Sequence, residues 1–290
     1  MFRLISQSKY SVEERLLTYN YTKFSNFSTT FTPLNIKLML TPISVVIITF
    51  NEERNIERCI EAVKSIADEV IVIDSFSTDR TKEICESLNV NFISHPWEGY
   101  SGSKNKGNSL AKYDWVLSLD ADEALSEQLI QSILEWKQNK VNQPAKFNRL
   151  TNYCGKWVKN GGWYPDAKIR IFDRTSTCWT GDIHETLKFN EETEIFHLFG
   201  DCLHYSYYTV EQHYNQTEKF TSIQSRDLFL QGKKSPLYKL IFSPMVKFIR
   251  DYFFKFGFLD GKVGFTIARI SAYATYLKYK KMRVLANQKA

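Results

Sequence analysis

Short runs of β-branched residues alternate with helix-like patterns through the first half of this 290-residue chain. The runs at 43–49, 69–74 and 114–119 are rich in Val, Ile and Leu, which is typical of parallel strands buried on both faces. Between them, apolar residues recur at the three- and four-residue spacing of a helix with one buried stripe. This order predicts an α/β fold with a doubly wound, mostly parallel sheet flanked by helices.

Polar side chains follow these three predicted strands. Asn51 and Glu52 follow the first, Asp74 ends the second, and Asp120 and Asp122 follow the last. In a doubly wound sheet, ligands bind beyond the carboxyl ends of the strands, so the sequence predicts a polar ligand there. The glycine-rich signatures G-x-G-x-x-G and G-x-x-x-x-G-K-[ST] do not follow these strands. A phosphate ligand is therefore expected only together with a divalent cation.

The pair Asp120 and Asp122 suits such a cation. On extended backbone, residues two apart point to the same side, so both carboxylates would face one ion that prefers oxygen ligands. The sequence thus predicts Mn²⁺ or Mg²⁺ bound by Asp120 and Asp122. The alternative is a pair of solvated aspartates ahead of a helix that begins near Ser126, since a D-x-D pair occurs about once by chance in a chain of this length.

Three blocks carry a resemblance to a known family. They are VVIITFNEE at 45–53, IVIDSFSTD at 71–79 and WVLSLDADE at 115–123, and in order and spacing they resemble the nucleotide-sugar domain of family 2 glycosyltransferases. The later blocks WYPDAKIRIF at 163–172 and GDIHE at 181–185 resemble the subgroup that includes lipopolysaccharide core β-glucosyltransferases of the WaaE/KdtX type. The resemblance implies a GT-A fold, an inverting mechanism and a UDP-linked or similar donor, with glucose as a candidate sugar.

The resemblance also implies roles for residues of the donor site. Asp74 would bind the nucleoside, with Asn51 and Glu52 lining the base and ribose pocket, because a carboxylate accepts hydrogen bonds from ring N–H groups and ribose hydroxyls. Lys104 and Asn105 occupy the place of a donor-phosphate contact. For Asn51 the alternative is a turn residue at the strand end, and for Lys104 it is an ordinary solvated lysine.

The metal and the catalytic base follow from the same resemblance. Asp120 would contact the ribose or the metal, and Asp122 would coordinate the metal that holds the leaving diphosphate. An inverting transferase also needs a base that removes the proton of the acceptor hydroxyl. Glu185, in the GDIHE block, is the predicted base, Asp182 is the second candidate and Asp166 the third. A structural role for all three acids is the alternative.

Aromatic and polar residues of the second half are candidates for binding the acceptor. Aromatic faces stack on the C–H surfaces of sugars, although core packing explains the same residues equally well. Arg170 is a candidate contact to a phosphate-bearing acceptor, and His184, joined by His204, is a candidate metal ligand as well. The predicted acceptor-binding residues are Trp163, Tyr164, Asp166, Arg170 and His184.

The sequence divides into three predicted parts. Residues 1–38 lack sustained periodicity and are interpreted as an extension, with Met39 as the predicted physiological start and a genuine flexible arm as the alternative. The transferase domain is predicted over 39–231, with its donor half at 43–140 and its acceptor half at 141–231. Five scattered cysteines without a C-x-x-C pair argue against a disulfide framework and favour a reducing cytosol.

The third part, 232–290, is strongly basic. From Lys233 onward there are thirteen Lys or Arg and two acidic residues, which gives +11, whereas the whole chain carries +6. Ser243 and Pro244 are predicted to start an amphipathic helix, and a second helix is expected after Gly261. A window of about 18 uncharged apolar residues, as a transmembrane helix needs, is missing. We expect this part to lie on the cytoplasmic face of the inner membrane; packing on the domain or on a second subunit is the alternative. Nucleic acid is not an expected partner.

These features predict a cytoplasmic, membrane-associated, metal-dependent inverting glycosyltransferase that modifies a lipopolysaccharide core or another glycolipid. A nucleotidyltransferase would use the same carboxylates and metal, but the missing glycine-rich phosphate loop weighs against it. A membrane-bound carbohydrate-binding protein without catalysis is the alternative from another class. A new glycosidic bond, a nucleotidyl product or no product would separate the three.

Overall fold

Continuous apolar runs form the centre of the sheet. The computed structural model describes residues 40–181, 185–189 and 192–288. Strand β1 (Ile43–Thr49) is buried along its whole length. It pairs in parallel with β2 (Glu69–Asp74) and with β4 (Trp115–Asp120), and β2 pairs in parallel with β3 (Asn91–Ser94). The predicted α/β fold with a mostly parallel sheet flanked by helices is confirmed. The extension 1–38 and the predicted start at Met39 lie outside the described residues.

Helices cover both faces of this sheet. They are α1 (Ile56–Val63), α2 (Thr81–Ser87), α3 (Gly99–Leu110) and α4 (Glu127–Gln138). Helix α1 buries Ile56, Cys59, Ile60 and Val63, which is the apolar stripe expected from their spacing. Helix α4 begins at a Ser126 cap whose side chain accepts a hydrogen bond from the Leu129 N–H.

The second half of the chain extends the sheet with antiparallel pairs. Its strands are β5 (Glu123–Leu125), β6 (Ala145–Tyr153), β7 (Lys156–Val158), β8 (Ala167–Asp173), β9 (Trp179–Thr180), β10 (Thr186–Leu187) and β11 (Phe196–Tyr207). The order across the large sheet is β3-β2-β1-β4-β8-β6-β11-β5, with β7 beside β6, and β9 and β10 form a separate hairpin. Strand β8 is antiparallel to both β4 and β6, so it joins the donor and acceptor halves.

The strand register places the ends of β1, β2 and β4, which carry the predicted donor-binding residues, side by side at the same edge of the sheet. Thr49 is opposite Asp74 across β1 and β2, and Ile48 is opposite Asp120 across β1 and β4. The loops that follow β1, β2 and β4 therefore leave the same edge of the sheet. This is the edge at which α/β proteins bind ligands.

Helices form the C-terminal part. Helix α5 (Val210–Leu230) begins with a reciprocal capping box between Thr209 and Gln212. It is followed by α6 (Leu237–Ile249), a π-helical turn (Arg250–Phe254), a 3₁₀ turn (Gly257–Asp260) and α7 (Gly261–Gln288). Helix α7 packs against both α5 and α6. Among the described residues, none of the helices is long and apolar enough to cross a membrane.

The predicted start of the first C-terminal helix was wrong. Helix α6 begins at Leu237, directly after Ser235 and Pro236, and Pro244 lies inside it. The Ser-Pro start signal occurs twice, and the earlier pair is the one that precedes the helix. Pro244 removes one backbone donor from the interior of α6. The predicted second helix after Gly261 is present as α7.

Candidate active site

A cleft of about 860 Å³ opens at the carboxyl edge of the sheet. The loops after β1, β2 and β4 contribute one wall, and β11 contributes His204 and Ser206. Helix α5 closes the other side with Gln216, Lys219, Phe220 and Ile223. The polar strand-end residues in the lining are Thr49, Glu52, Ser75, Asp120 and Asp122. The predicted donor edge is thus a concave surface of the size that holds a small ligand.

Asn51 and Asp74 organise the loops behind this wall. Asn51 has a left-handed backbone with φ of 55°, and its side-chain oxygen accepts a hydrogen bond from the Thr78 N–H at 2.8 Å. Asp74 is buried, and its carboxylate accepts hydrogen bonds from the N–H and the hydroxyl of Ser77. Ser77 in turn accepts a hydrogen bond from the Asn51 N–H at 2.8 Å. The two residues predicted for the nucleoside therefore fasten two neighbouring loops together.

Glu52 lines the cleft beside the metal-binding candidates. Its carboxylate accepts a hydrogen bond from the side chain of Asn55 at 2.7 Å. Burial raises the pKa of Glu52 to about 7, and the negative charges of Asp122 and Asp79 add to the rise, whereas the Asn55 hydrogen bond opposes it. A carboxyl group with this pKa can donate as well as accept hydrogen bonds near neutral pH, and ribose hydroxyls can be the partner in either case.

A series of alternating charges runs from the cleft into the acceptor half. Each member contacts the next through nitrogen and oxygen atoms 2.6 to 3.7 Å apart. In order, the members are Glu185, Lys104, Asp120, Arg170, Glu123, Arg149, Asp166 and Lys168. Four acids and four bases alternate, so the series has no net charge. We call these eight residues the charge ladder.

Lys104 connects the predicted base to the donor site. Its side chain is fully buried, and the ammonium nitrogen lies 2.8 Å from a Glu185 oxygen and 3.1 Å from an Asp120 oxygen. It also lies 4.9 Å from the ring centre of Trp179, within cation–π range. Lys104 is therefore not the solvated lysine of the alternative interpretation.

Asn105 holds the hairpin that precedes Glu185. Its amide donates to the Trp179 carbonyl and accepts from the Trp179 N–H, both at 2.9 Å. Trp179 begins the β9 strand of this hairpin. Asn105 thus fixes the β9–β10 hairpin on helix α3. The donor-phosphate contact predicted for it stays a prediction.

The carboxylate of Asp120 lies between two cations, Lys104 and Arg170. Burial opposes its ionisation, but Lys104 and Arg170 outweigh that cost and hold the pKa of Asp120 far below its usual range. Arg170 is buried, and its guanidinium bonds both Asp120, at 3.2 Å, and Glu123, at 2.6 Å. Glu123 is buried as well, and it accepts a hydrogen bond from the Asp120 N–H at 3.0 Å. The guanidinium of Arg170 is already bonded to the carboxylates of Asp120 and Glu123. The phosphate of an acceptor could bind Arg170 only by displacing one of these two carboxylates.

Asp122 and His204 form a second pair in the cleft. The imidazole Nε2 lies 3.2 Å from an Asp122 oxygen. Burial disfavours the imidazolium, but the Asp122 charge outweighs it and raises the pKa of His204. One carboxylate and one imidazole at the mouth of a cleft suit Mn²⁺. In the described part of the chain, groups of three or more His, Cys, Asp or Glu that would hold a metal are not found. A divalent cation at this pair would need further ligands from a bound molecule or from water.

The predicted acceptor-binding residues are not gathered at one point. Trp163 packs edge-on against Tyr153 and His213, in the cluster that joins the sheet to α5 and α7. The Tyr164 hydroxyl donates to Asp201 at 3.0 Å. Asp166 is paired with Arg149 and Lys168, each at 2.9 Å, within the charge ladder. The candidates Asp182 and His184 lie outside the described residues. These acceptor roles stay predictions.

Several site residues had no role in the sequence interpretation. Glu123 ends the sequence DADE at 120–123. Its position next to two other acidic residues is the one feature of the sequence that could have marked it as a site residue. Gln216, Lys219, Phe220 and Ile223 recur at the spacing of one helix face. That spacing indicates a shared face. It does not show that this face closes the cleft opposite Asp122, which lies more than 90 positions earlier in the chain.

The fold and the cleft define the class of protein: an α/β protein with a polar, concave surface at the carboxyl edge of its sheet, where proteins of this class bind ligands. Residues 44–212 match the family model for glycosyl transferase family 2. The chain belongs to this family and is a glycosyltransferase of GT-A fold, as the sequence blocks predicted.

Two relatives are similar over most of their length. An uncharacterized glycosyltransferase of Rickettsia typhi is 36% identical over 257 residues, which cover 84% of this chain and 87% of the relative. The lipopolysaccharide core biosynthesis glycosyltransferase LpsC of Rhizobium meliloti is 26% identical over 262 residues, which cover 83% of this chain and 92% of LpsC. Among solved structures, glucosyl-3-phosphoglycerate synthase of Mycobacterium tuberculosis with Mn²⁺ and UDP-glucose is 22% identical, with a TM-score of 0.33 over 39% of this chain and 44% of that one. A TM-score of this size does not establish a shared ligand.

Proposed function

We propose that this glycosyltransferase moves a hexose from a nucleoside diphosphate donor, with UDP-glucose as the first candidate, to a lipopolysaccharide core or another glycolipid. The main support for this proposal is the position of Lys104, whose ammonium lies within ion-pair distance of both Glu185 and Asp120. The predicted base thereby lies next to the strand end that is predicted to bind the donor. The likeness to LpsC supports a glycolipid acceptor.

Glu185 is the proposed base. It would take the proton of the acceptor hydroxyl as that oxygen attacks the anomeric carbon. The new C–O bond forms on one face of the sugar while the bond to the diphosphate oxygen breaks on the other, so the anomeric configuration inverts. Glu185 accepts the Lys104 hydrogen bond through Oε1, and its second oxygen, Oε2, would take the acceptor proton. Lys104 therefore orients the base without occupying both of its oxygens.

Asp122 and His204 are the proposed protein ligands of Mn²⁺ or Mg²⁺. A bound cation would neutralise the negative charge of the leaving diphosphate. Glu52, facing the same cleft, would hold the ribose through its carboxyl group. Asp74 and Asn51 would act by fixing the loops that carry Glu52 and Ser77.

A thermal-shift screen of nucleotide diphosphates and nucleotide sugars, with and without Mn²⁺, tests the donor site. A ligand at a hundredfold excess over its Kd stabilises the folded state by about 2.7 kcal/mol. We expect a raised midpoint that needs both Mn²⁺ and one particular nucleotide. A shift with Mn²⁺ alone and none with any nucleotide would contradict the proposal.

Product analysis tests the reaction itself. With the donor found in the screen and a delipidated core oligosaccharide as acceptor, a new glycosidic bond of inverted configuration is expected. Transfer of the nucleotidyl group instead would show a nucleotidyltransferase. Donor binding without any product, across several acceptors, would favour a binding protein.

A further inference from the structure

Helix α6 exposes far more apolar surface than an ordinary surface helix does. A surface helix normally buries its apolar stripe and exposes charged residues. In α6 none of the residues is buried. The exposed positions are instead the apolar pairs Leu237 and Tyr238, Ile241 and Phe242, and Met245 and Val246, followed by Ile249. The half-buried positions between them are of mixed character: Lys239, Leu240, Ser243, Pro244, Lys247 and Phe248.

The apolar surface continues past the end of the helix. In the π-helical turn, the 3₁₀ turn and the two residues that join them, five more large apolar side chains are exposed. These are Phe253, Phe254, Phe256, Phe258 and Leu259. Across the whole set of twelve, the exposed fractions run from 41% to 75%. Single exposed apolar residues are normal, but twelve within 23 residues of sequence form a patch of the kind that marks an interaction site. We call these twelve residues the α6 surface.

The charge around the α6 surface is positive. Residues 233–262 contain seven Lys or Arg and two acids, which gives +5. Both acids are buried. Asp251 is paired with Lys247 at 2.7 Å and Arg250 at 3.0 Å, and Asp260 accepts hydrogen bonds from Asn160. What remains at the surface is a set of exposed cations, among them Lys233, Lys234, Lys255 and Lys262.

We propose that the α6 surface docks on an anionic lipid bilayer, at the cytoplasmic face of the inner membrane. Exposed aromatic and aliphatic side chains enter the boundary between headgroups and acyl chains, while the surrounding lysines meet anionic headgroups. A second copy of the chain is a poorer occupant, because it would bring two surfaces of +5 together.

The docking surface is attached to the acceptor half. Both the N–H and the side-chain amide of Asn160 donate to the Asp260 carboxylate, at 2.9 and 3.1 Å, and the Lys156 ammonium donates to the Asp260 carbonyl at 2.7 Å. The Gly161 N–H donates to the Lys255 carbonyl at 2.9 Å. These bonds hold the loop that leads from β7 to Trp163 against the docking surface. A docked enzyme would therefore present its acceptor half, rather than β3 at the far edge of the sheet, to a glycolipid in the bilayer.

Co-sedimentation of the full chain with vesicles tests the proposal without any sugar or nucleotide, so its outcome is independent of the proposed reaction. We expect the wild-type chain to bind vesicles of phosphatidylcholine mixed with phosphatidylglycerol, and to bind pure phosphatidylcholine more weakly. Phe242→Glu combined with Met245→Glu should weaken binding to both vesicles by at least about tenfold. Lys262→Gln should weaken binding to the anionic vesicles by roughly fivefold and leave binding to phosphatidylcholine unchanged.

Phe199→Glu is the matched control, because Phe199 is a 71% exposed phenylalanine on β11, outside the α6 surface. This variant should bind vesicles like the wild type, and unchanged circular dichroism should show that every variant is folded. The proposal is overturned if the wild type does not bind anionic vesicles or if the double variant binds as the wild type does. It is also overturned if the wild type is a dimer without affinity for vesicles and the double variant is a monomer, because the surface would then be a contact between copies.

Discussion

Glu52→Gln should change the pH dependence of stability in a way that follows from the position of Glu52 in the cleft. Burial raises the pKa of its carboxyl group from 4.5 to about 7. The folded protein therefore holds this proton more tightly than the unfolded chain does. The stability that Glu52 contributes is fully present below pH 4.5 and is lost as the pH rises through 7. Glutamine keeps a side-chain oxygen to accept the Asn55 hydrogen bond but has no proton to lose.

The size of the effect follows from the two pKa values. Each unit of difference corresponds to 1.36 kcal/mol, and between pH 5 and pH 8 the full shift corresponds to roughly 2.5 kcal/mol. Solvent reaches part of the side chain, so about 2 kcal/mol is expected. The measured quantity is the difference in free energy of unfolding between Glu52→Gln and the wild type. This difference should be more favourable to the variant at pH 8 than at pH 5, by about 2 kcal/mol.

Urea unfolding at both pH values, followed by tryptophan fluorescence, measures the difference. Glu135→Gln is the control, because Glu135 is an exposed carboxylate on α4, and its effect should be the same at both pH values within about 0.5 kcal/mol. If Glu52→Gln changes the free energy of unfolding equally at pH 5 and pH 8, the carboxyl group of Glu52 is not desolvated in the cleft.

Two further substitutions test the charge ladder. Glu185→Gln should lower the rate of transfer by about 10² or more while nucleotide affinity in the thermal-shift assay changes little; near-normal turnover would move the role of base to Asp182 or Asp166. Lys104→Met leaves Glu185 without its cation and Asp120 with one, so it should lower the free energy of unfolding by about 3 kcal/mol in urea. Lys82→Met, which removes an exposed pair with Glu86, should cost less than about 1 kcal/mol, and equal losses in the two variants would show that Lys104 is not buried in an ion pair.

The sheet and its ligand edge could be predicted because their signals are local. Strands β1, β2 and β4 are central, so both faces are buried and the sequence shows continuous apolar runs. Parallel pairing then brings Asp74 and Asp120 level with the end of β1. The order of the elements and the residues at the strand ends were sufficient for the donor edge.

The charge ladder could not be predicted, because its members are far apart in the chain. Lys104 and Glu185 are separated by 81 positions, and Arg170 and Glu123 by 47. Sequence shows that these residues are charged, but their pairing depends on how β8 is placed between β4 and β6. The start of α6 was predicted wrongly for a different reason. Two Ser-Pro pairs occur eight residues apart, and the local sequence does not show which of them precedes the helix.

Asp122, rather than Asp120, is the carboxylate that a divalent cation should use. One carboxylate oxygen of Asp120 lies 3.1 Å from the Lys104 ammonium, in an ion pair without a hydrogen bond, and the other accepts a hydrogen bond from Arg170 at 3.2 Å. In the described part of the chain, the carboxylate of Asp122 forms one ion pair, with the imidazole of His204. A cation at Asp120 would compete with the fully buried Lys104 ammonium, whereas a cation at Asp122 would meet one imidazole, which binds metal ions in its neutral form.

This difference predicts unequal effects of two similar substitutions on manganese binding. Calorimetric titration with Mn²⁺, at a fixed concentration of the nucleotide found in the donor screen, compares Asp120→Asn with Asp122→Asn. We expect Asp122→Asn to weaken manganese binding at least about tenfold more than Asp120→Asn does. Asp120→Asn should instead lower the urea midpoint. It removes one of the two carboxylates that neutralise each of the buried cations Lys104 and Arg170. The reverse order of metal affinities would mean that Asp120 leaves the charge ladder when the cation binds, and that the ladder is a state of the ligand-free enzyme only.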